Sequence, residues 1–114
     1  MTSKTQSPSV IRYAALALQT RCDAVNSFDR DGARAAMLQS INRIGEQVRT
    51  ARRFIGQQLR LVVLPEYFMT GFPMGESIEG WAEKACIQPD GIEMEKLSEV
   101  AQSAGVYLSG NLYE

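Results

Sequence analysis

The chain has 114 residues, of which 45% are hydrophobic and 22% charged, a balance typical of one small globular domain. Twelve basic and thirteen acidic residues give a net charge of −1, so the protein lacks the overall positive field that attracts nucleic acid. It has no histidine, and its two cysteines, Cys22 and Cys86, do not form a CxxC motif. A zinc site and a disulfide framework therefore have no support, and the cysteines favour reduced thiols in a cytoplasmic protein. Any nucleophilic chemistry would need a carboxylate or a lysine as its base.

The N-terminal part of the chain is predicted to contain a polar tail followed by a first strand. Residues 1–9 are polar and are expected to be disordered. Residues Val10 to Gln19 form a mostly continuous apolar run of strand length. A run without clean alternation predicts burial on both faces, as in a parallel or mixed sheet. The same run is too short to span a membrane.

A long amphipathic helix is predicted next, ending near Ile55. Its apolar residues recur every three or four positions and form one stripe: Ala33, Met37, Ile41, Ile44, Val48, Ala51 and Ile55. Asp29 and Asp31 precede the stripe, where carboxylates favour the start of a helix. Gly56 follows it and is a stop signal.

The second predicted strand leads directly to a carboxylate. Arg60 to Leu64 form this strand, with an apolar block over residues 61–64, and Pro65 ends it because proline cannot donate to a central ladder. Glu66 comes next, and the loop from Tyr67 to Gly75 is then interrupted by Gly71, Pro73 and Gly75.

Two helices and a third strand complete the predicted order. Glu76 to Cys86 form the first helix, and Asp90 with Glu93 has the spacing of a capping box that opens the second, which Gly105 closes. Residues 106–114, VYLSGNLYE, are the third predicted strand. Alternating strands and helices indicate an α/β fold. Because no helix covers the last strand, we expect these residues to be part of a longer domain.

Glu66 is the candidate functional residue because ligands of open α/β sheets bind beyond the carboxyl ends of the strands. Walled by Leu64, Phe68 and Tyr67, its carboxylate would be partly desolvated, a setting that suits a general base. On position alone, however, an ordinary exposed glutamate is the more common role.

Nucleotide binding has less support. No GxGxxG follows the first strand, where the letters are LQTRCD, and GFPMG lacks the Gly-Lys-Ser/Thr of a phosphate loop. Arg49, Arg52 and Arg53 gather on one side of the long helix and could contact phosphates, but a solvated helix face is the more common role of such a cluster.

The segment LVVLPEYFMTGFP closely resembles the first catalytic segment of the nitrilase superfamily, the carbon–nitrogen hydrolases. That segment consists of an apolar strand, Pro-Glu, an aromatic residue, and a turn of Gly, an aromatic residue and Pro. The flanking strands and helices agree, so the resemblance extends over about Val10 to Glu114. It implies an α/β fold that is an incomplete part of an αββα sandwich, with helices packed on a mixed sheet. By the same resemblance, residues 10–114 are the N-terminal part of a truncated hydrolase domain.

The resemblance also implies an enzyme that hydrolyses a small nitrile, amide or carbamoyl compound. In this family a cysteine attacks the substrate carbon, a lysine stabilises the developing charge, and a glutamate is the general base. Glu66 takes that last role, and no cofactor or metal is implied. Lys84, Lys96, Cys22 and Cys86 do not match the family's lysine and cysteine, which follow the last strand of this chain, so the chain alone is expected to be inactive.

The expected partners are the small-molecule substrate and, in the complete protein, further copies of the chain; nucleic acid and membrane are not expected. An alternative of another class stays open, in which the chain is a non-catalytic fragment or interaction module of the same fold. Such a module would pair its third strand with another chain.

Overall fold

A computed structural model describes residues 10–114, and the tail predicted over residues 1–9 lies outside the described residues. Three strands and three helices make up the fold. In chain order they are β1 (Ala14–Ala17), α1 (Arg30–Ile55), β2 (Leu59–Val63), α2 (Ile78–Ala85), α3 (Ile92–Ala104) and β3 (Tyr107–Ser109). The α/β class predicted from the sequence is confirmed.

The sheet has the order β1-β2-β3, with β2 in the middle and both pairings parallel. β1 is shorter than the predicted run from Val10 to Gln19. The reason is its register: Ala14 faces Leu59, the first residue of β2, so residues 10–13 lie beyond the start of the neighbouring strand. Val10 is accordingly 83% exposed.

The strands are covered on one face, and the prediction that β1 is buried on both faces is wrong. One row across the sheet is buried or half-buried and consists of Leu16, Val62 and Leu108. The next row faces the other way and is exposed: Ala17, Val63 and Ser109. Helices α1 and α3 contact each other, α1 contacts β2 and α3 contacts β3, so the helices form one layer. An αββα sandwich covers the opposite face with a second sheet.

Helix α1 confirms the predicted apolar stripe. The Asp29 side chain accepts a hydrogen bond from the Gly32 amide at 2.8 Å and caps the helix, as residues of this type do. At the other end Gly56 has φ of 106°, a conformation that favours glycine. The core residues of the stripe are Ala33, Met37, Ile41, Ile44 and Val48.

Helix α3 begins one residue later than the predicted capping box requires. Its N-cap is Gly91, and no side chain caps it, so the prediction that Asp90 caps this helix is wrong. Glu93 is instead buried, with its carboxylate 3.7 Å from the Arg34 guanidinium on α1. The ion pair joins the two helices.

The predicted arginine cluster has a largely structural role. Arg52 lies across the end of α3, where its guanidinium donates to the carbonyls of Ala104 and Gly105 at 2.5 and 2.8 Å. Carbonyls at the end of a helix have no partner inside the helix, so the arginine satisfies them. Arg53, by contrast, is exposed.

The third strand ends earlier than the sequence predicts. Residues 106–114 were expected to be one strand, but β3 is confined to Tyr107–Ser109. Residues 110–114 instead cross the end of the sheet, where the Ile87 amide donates to the Tyr113 carbonyl at 2.9 Å. No helix in residues 10–114 has both the length and the apolar character needed to cross a membrane.

Candidate active site

The candidate site lies at the carboxyl end of the central strand. The ladder between β2 and β3 extends one residue beyond the strand, because the Leu64 amide donates to the Ser109 carbonyl at 2.8 Å. Pro65 has no amide hydrogen and ends the pairing. Glu66 is therefore held just beyond the sheet edge by a paired residue and a proline.

The Glu66 side chain is exposed, so the expected partial desolvation is wrong for the residues described here. Of the residues expected to wall the carboxylate, Leu64 does line the cleft beside Glu66, whereas Phe68 is only 2% exposed and packs in the core. Glu66 lines an open cleft of about 380 Å³ between the ends of β2 and β3. Gly110 and Asn111 lie on the far side of that cleft.

The backbone after Glu66 adopts an unusual conformation. Tyr67 has φ of 45°, in the left-handed region that residues with a Cβ rarely adopt. Its amide donates to the Asn111 side-chain oxygen at 2.6 Å. Its carbonyl accepts from the amides of Thr70 and Gly71 at 3.2 and 3.1 Å. Since such a conformation costs on the order of 1 kcal/mol or more, these contacts must hold it in place.

Aromatic rings pack around the same turn. The Tyr67 and Tyr113 rings are stacked, with centroids 4.1 Å apart, and the Phe72 ring meets Tyr67 edge-on at 5.4 Å. Trp81 meets Tyr113 edge-on, with ring centroids 5.5 Å apart. Desolvation raises the pKa of Tyr113, and the nearby Tyr67 and the negative charge of Glu66 act in the same direction. The site is thus a carboxylate beside an aromatic cluster.

Lys84 and Lys96 lie on helices, and each forms an ion pair with a glutamate other than Glu66. Lys84 on α2 forms an ion pair with Glu76 at 2.8 Å. Lys96 on α3 is paired with Glu99 at 3.6 Å. Among the ion pairs and hydrogen bonds of residues 10–114, neither lysine contacts Glu66.

The two cysteines are free thiols. Cys86 caps the end of α2. Cys22 reaches the turn, with its sulfur 3.5 Å from the Tyr67 carbonyl oxygen. Cys22 is exposed, but partial desolvation raises the pKa of its thiol, although a hydrogen bond with the Gly71 backbone acts in the opposite direction. Nucleophilic cysteines have a lowered pKa, so this environment does not activate Cys22.

Two features of the site were missed in the sequence. Asn111 was not singled out, although it follows a strand end, where ligand-binding side chains of α/β sheets are found. Asn26, Glu76 and Lys84 form a polar cluster beside the loop, and long-range pairing of this kind has no local sequence signal. Within residues 10–114 no three metal-ligating side chains gather into a group.

The geometry is accompanied by a match to a known family. A family model described as carbon–nitrogen hydrolase matches residues 12–114, which is nearly the whole chain. The chain belongs to the carbon–nitrogen hydrolase family. Neither the curated proteins nor the solved structures that were compared contain a significant match to it. Membership of this family, the nitrilase superfamily, confirms the resemblance found in the Pro-Glu segment.

Proposed function

We propose that this chain supplies the general base of a carbon–nitrogen hydrolase, with Glu66 in that role. The substrate would be a small nitrile, amide or carbamoyl compound. The observation that carries the proposal is the position of Glu66, directly after Pro65 at the carboxyl end of the central strand, within a chain that matches the family from residue 12 to residue 114. Strand ends of this kind are where α/β sheets place their ligands.

The proposed chemistry follows the family's glutamate, lysine and cysteine. As the cysteine sulfur attacks the substrate carbon, its proton passes to the Glu66 carboxylate, and the lysine stabilises the negative charge that develops on the substrate. For an amide, Glu66 then returns the proton to the departing nitrogen, leaving a thioester. Water then attacks the thioester carbon and loses a proton to Glu66. The C–S bond breaks, the sulfur takes that proton back from Glu66, and the carboxylic acid leaves with the thiol and carboxylate restored.

The lysine and the cysteine would come from chain that follows Glu114. Lys84 is engaged with Glu76, and the pKa of Cys22 is raised, so neither residue has the character of a catalytic partner. Glu66 is exposed in the open cleft beside β3. The lysine, the cysteine and a substrate could therefore approach its carboxylate from that cleft. This proposal makes residues 10–114 the N-terminal part of the hydrolase domain.

Two further properties are proposed, the assembly from the resemblance and the compartment from the cysteines. Complete members of the family commonly assemble from several copies, and we propose the same here. The free thiols of Cys22 and Cys86 suit a reducing compartment, which favours the cytoplasm.

The proposal is tested by two measurements on the native gene product. Its intact mass is expected to exceed 12.6 kDa more than twofold, which leaves room for the missing lysine and cysteine. The same protein is expected to release ammonia from at least one compound in a panel of small nitriles, primary amides and carbamoyl compounds. A mass of 12.6 kDa without hydrolysis would contradict the proposal and favour the alternative of a non-catalytic interaction module.

A further inference from the structure

Two segments that flank the sheet run side by side at its carboxyl edge. One is the β1–α1 connection, residues 18–29, and the other is the β2–α2 loop, residues 64–77, which begins at the site. The Cys22 sulfur contacts the Tyr67 carbonyl at 3.5 Å, and the Val25 amide donates to the Thr70 carbonyl at 3.0 Å. These contacts attach the first half of the loop to the connection.

Asn26 attaches the second half of the loop. Its side-chain amide donates to the Phe72 carbonyl at 2.7 Å, and it lies 3.3 Å from the Pro73 carbonyl and 3.1 Å from the Glu76 carboxylate. One side chain therefore contacts three residues of the β2–α2 loop, although it lies more than forty positions earlier in the chain.

Lys84 links helix α2 to both segments. Its ammonium lies 2.8 Å from the Glu76 carboxylate and donates to the Asn26 carbonyl at 3.1 Å. The side chains of Lys84 and Glu76 are only 14% and 25% exposed. Because water reaches this ion pair only partly, its attraction is screened less than that of a surface pair. Removing Lys84 would leave the Glu76 carboxylate partly buried without a compensating charge.

The loop in turn contacts the residue that follows Glu66. The Phe72 carbonyl is held by Asn26, and the Phe72 ring lies edge-on against the Tyr67 ring. Tyr67 is in the left-handed region, a conformation that persists only when the surrounding structure fixes it. Contacts therefore run without a break from Lys84 through the loop to the turn.

We propose that Lys84 is a positioning residue for the Glu66 turn. Together with Asn26 and Glu76 it forms a clamp that fixes the β2–α2 loop, and the loop holds Tyr67 and the adjacent Glu66 carboxylate in place. The inference rests on the proposed function, in which Glu66 is the general base. The clamp itself is a property of the fold and is tested separately from activity.

The first test is amide hydrogen exchange in the complete gene product. Lys84→Met is expected to raise exchange in residues 67–77 about tenfold and to leave the middle of α1 unchanged, because the loop opens locally while the core stays folded. Lys96→Met is the matched control, since it removes a lysine from an exposed pair on α3 and should change neither region. Asn26→Ser is a second variant, which removes the amide donors but keeps the ion pair. Unchanged exchange in residues 67–77 in both clamp variants would overturn the proposal.

The second test is steady-state kinetics on the substrate found in the panel. Lys84→Met is expected to lower kcat about tenfold with little change in KM, because misplacing a base affects the chemical step more than binding. Lys84→Arg keeps the charge and is expected to recover most of the lost kcat. A loosened loop with full kcat would overturn the positioning role. If the unmodified protein hydrolyses nothing, the proposed function and the positioning role fail together, whereas the exchange result still decides whether the clamp exists.

Discussion

The Asn111 side-chain oxygen accepts the Tyr67 amide at 2.6 Å and so joins the end of β3 to the turn beside Glu66. The two residues are 44 positions apart in the chain and line the same sheet edge. The contact holds Tyr67 in its left-handed conformation, which fixes the direction in which the backbone leaves Glu66. The turn after Glu66 is thus shaped by the neighbouring strand as well as by Pro65.

Asn111→Ala is expected to destabilise the protein by about 1 kcal/mol, because the Tyr67 amide loses its partner near solvent. Urea unfolding measures the loss. Asn111→Asp keeps an acceptor oxygen at the same position and should retain more of the stability. Equal destabilisation by both variants would contradict the role given to the hydrogen bond.

Gly110→Ala is expected to destabilise the protein by about 1–3 kcal/mol, the usual cost of overpacking a core. A Cβ at this position would lie 2.9 Å from an edge carbon of the Phe68 ring, which is buried and cannot move away freely. The melting temperature reports the change. Gln102→Ala is the control, because Gln102 is exposed on α3 and its substitution should cost less than about 0.5 kcal/mol. Similar melting temperatures for the two variants would contradict the packing argument.

Local signals in the sequence were sufficient for the long helix and for the end of the central strand. The periodic stripe and Asp29 predict α1, and Pro65 predicts where β2 stops, because both effects depend on neighbouring residues. The segment LVVLPEYFMTGFP, which contains Pro65, also predicts Glu66 as the candidate residue and, by resemblance, the family.

The wrong prediction of an Asp90 cap is local to the start of α3, but the other failures depend on residues that are distant in the chain. β3 ends at Ser109 because residues 110–114 pack over Phe68 and Tyr67, which the strand pattern of VYLSGNLYE does not encode. One face of β1 is exposed because α1 and α3, the helices that contact the sheet, form a single layer. The exposure of Glu66 and the contacts of Asn26 likewise follow from how the loops pack together.

Arg52→Ala is expected to cost about 1–3 kcal/mol in the free energy of unfolding, because the carbonyls of Ala104 and Gly105 lose a charged donor. Arg53→Ala provides a control of the same chemistry at the next position, since Arg53 is exposed and, within residues 10–114, its side chain hydrogen-bonds only to the neighbouring Thr50 hydroxyl, at 3.3 Å. That variant should stay within about 0.5 kcal/mol of the unmodified protein. If both substitutions cost the same, Arg52 does not cap α3 in solution.

The reactivity of Cys22 should depend on pH in a defined direction. Partial desolvation raises its pKa, so alkylation by iodoacetamide in a Cys86→Ser background should reach half its maximum rate above the value of about 8.5 for a free thiol. Because the folded pKa is the higher one, the associated stability is complete below the unfolded pKa and is lost as the pH rises through the folded pKa. If alkylation of the folded and of the urea-unfolded protein reached half its maximum rate at the same pH, the folded structure would not raise the pKa of Cys22.

The most direct test of the central claim is the turnover number of Glu66→Gln in the complete gene product. The substitution keeps the size of the side chain and removes its ability to accept a proton, so kcat should fall by at least about 100-fold while the melting temperature stays within a few degrees. Glu79→Gln, at an exposed position on α2, is the control and should keep full activity. Loss of turnover confined to Glu66→Gln would support Glu66 as the general base. Substantial turnover in that variant would show that another group takes the proton.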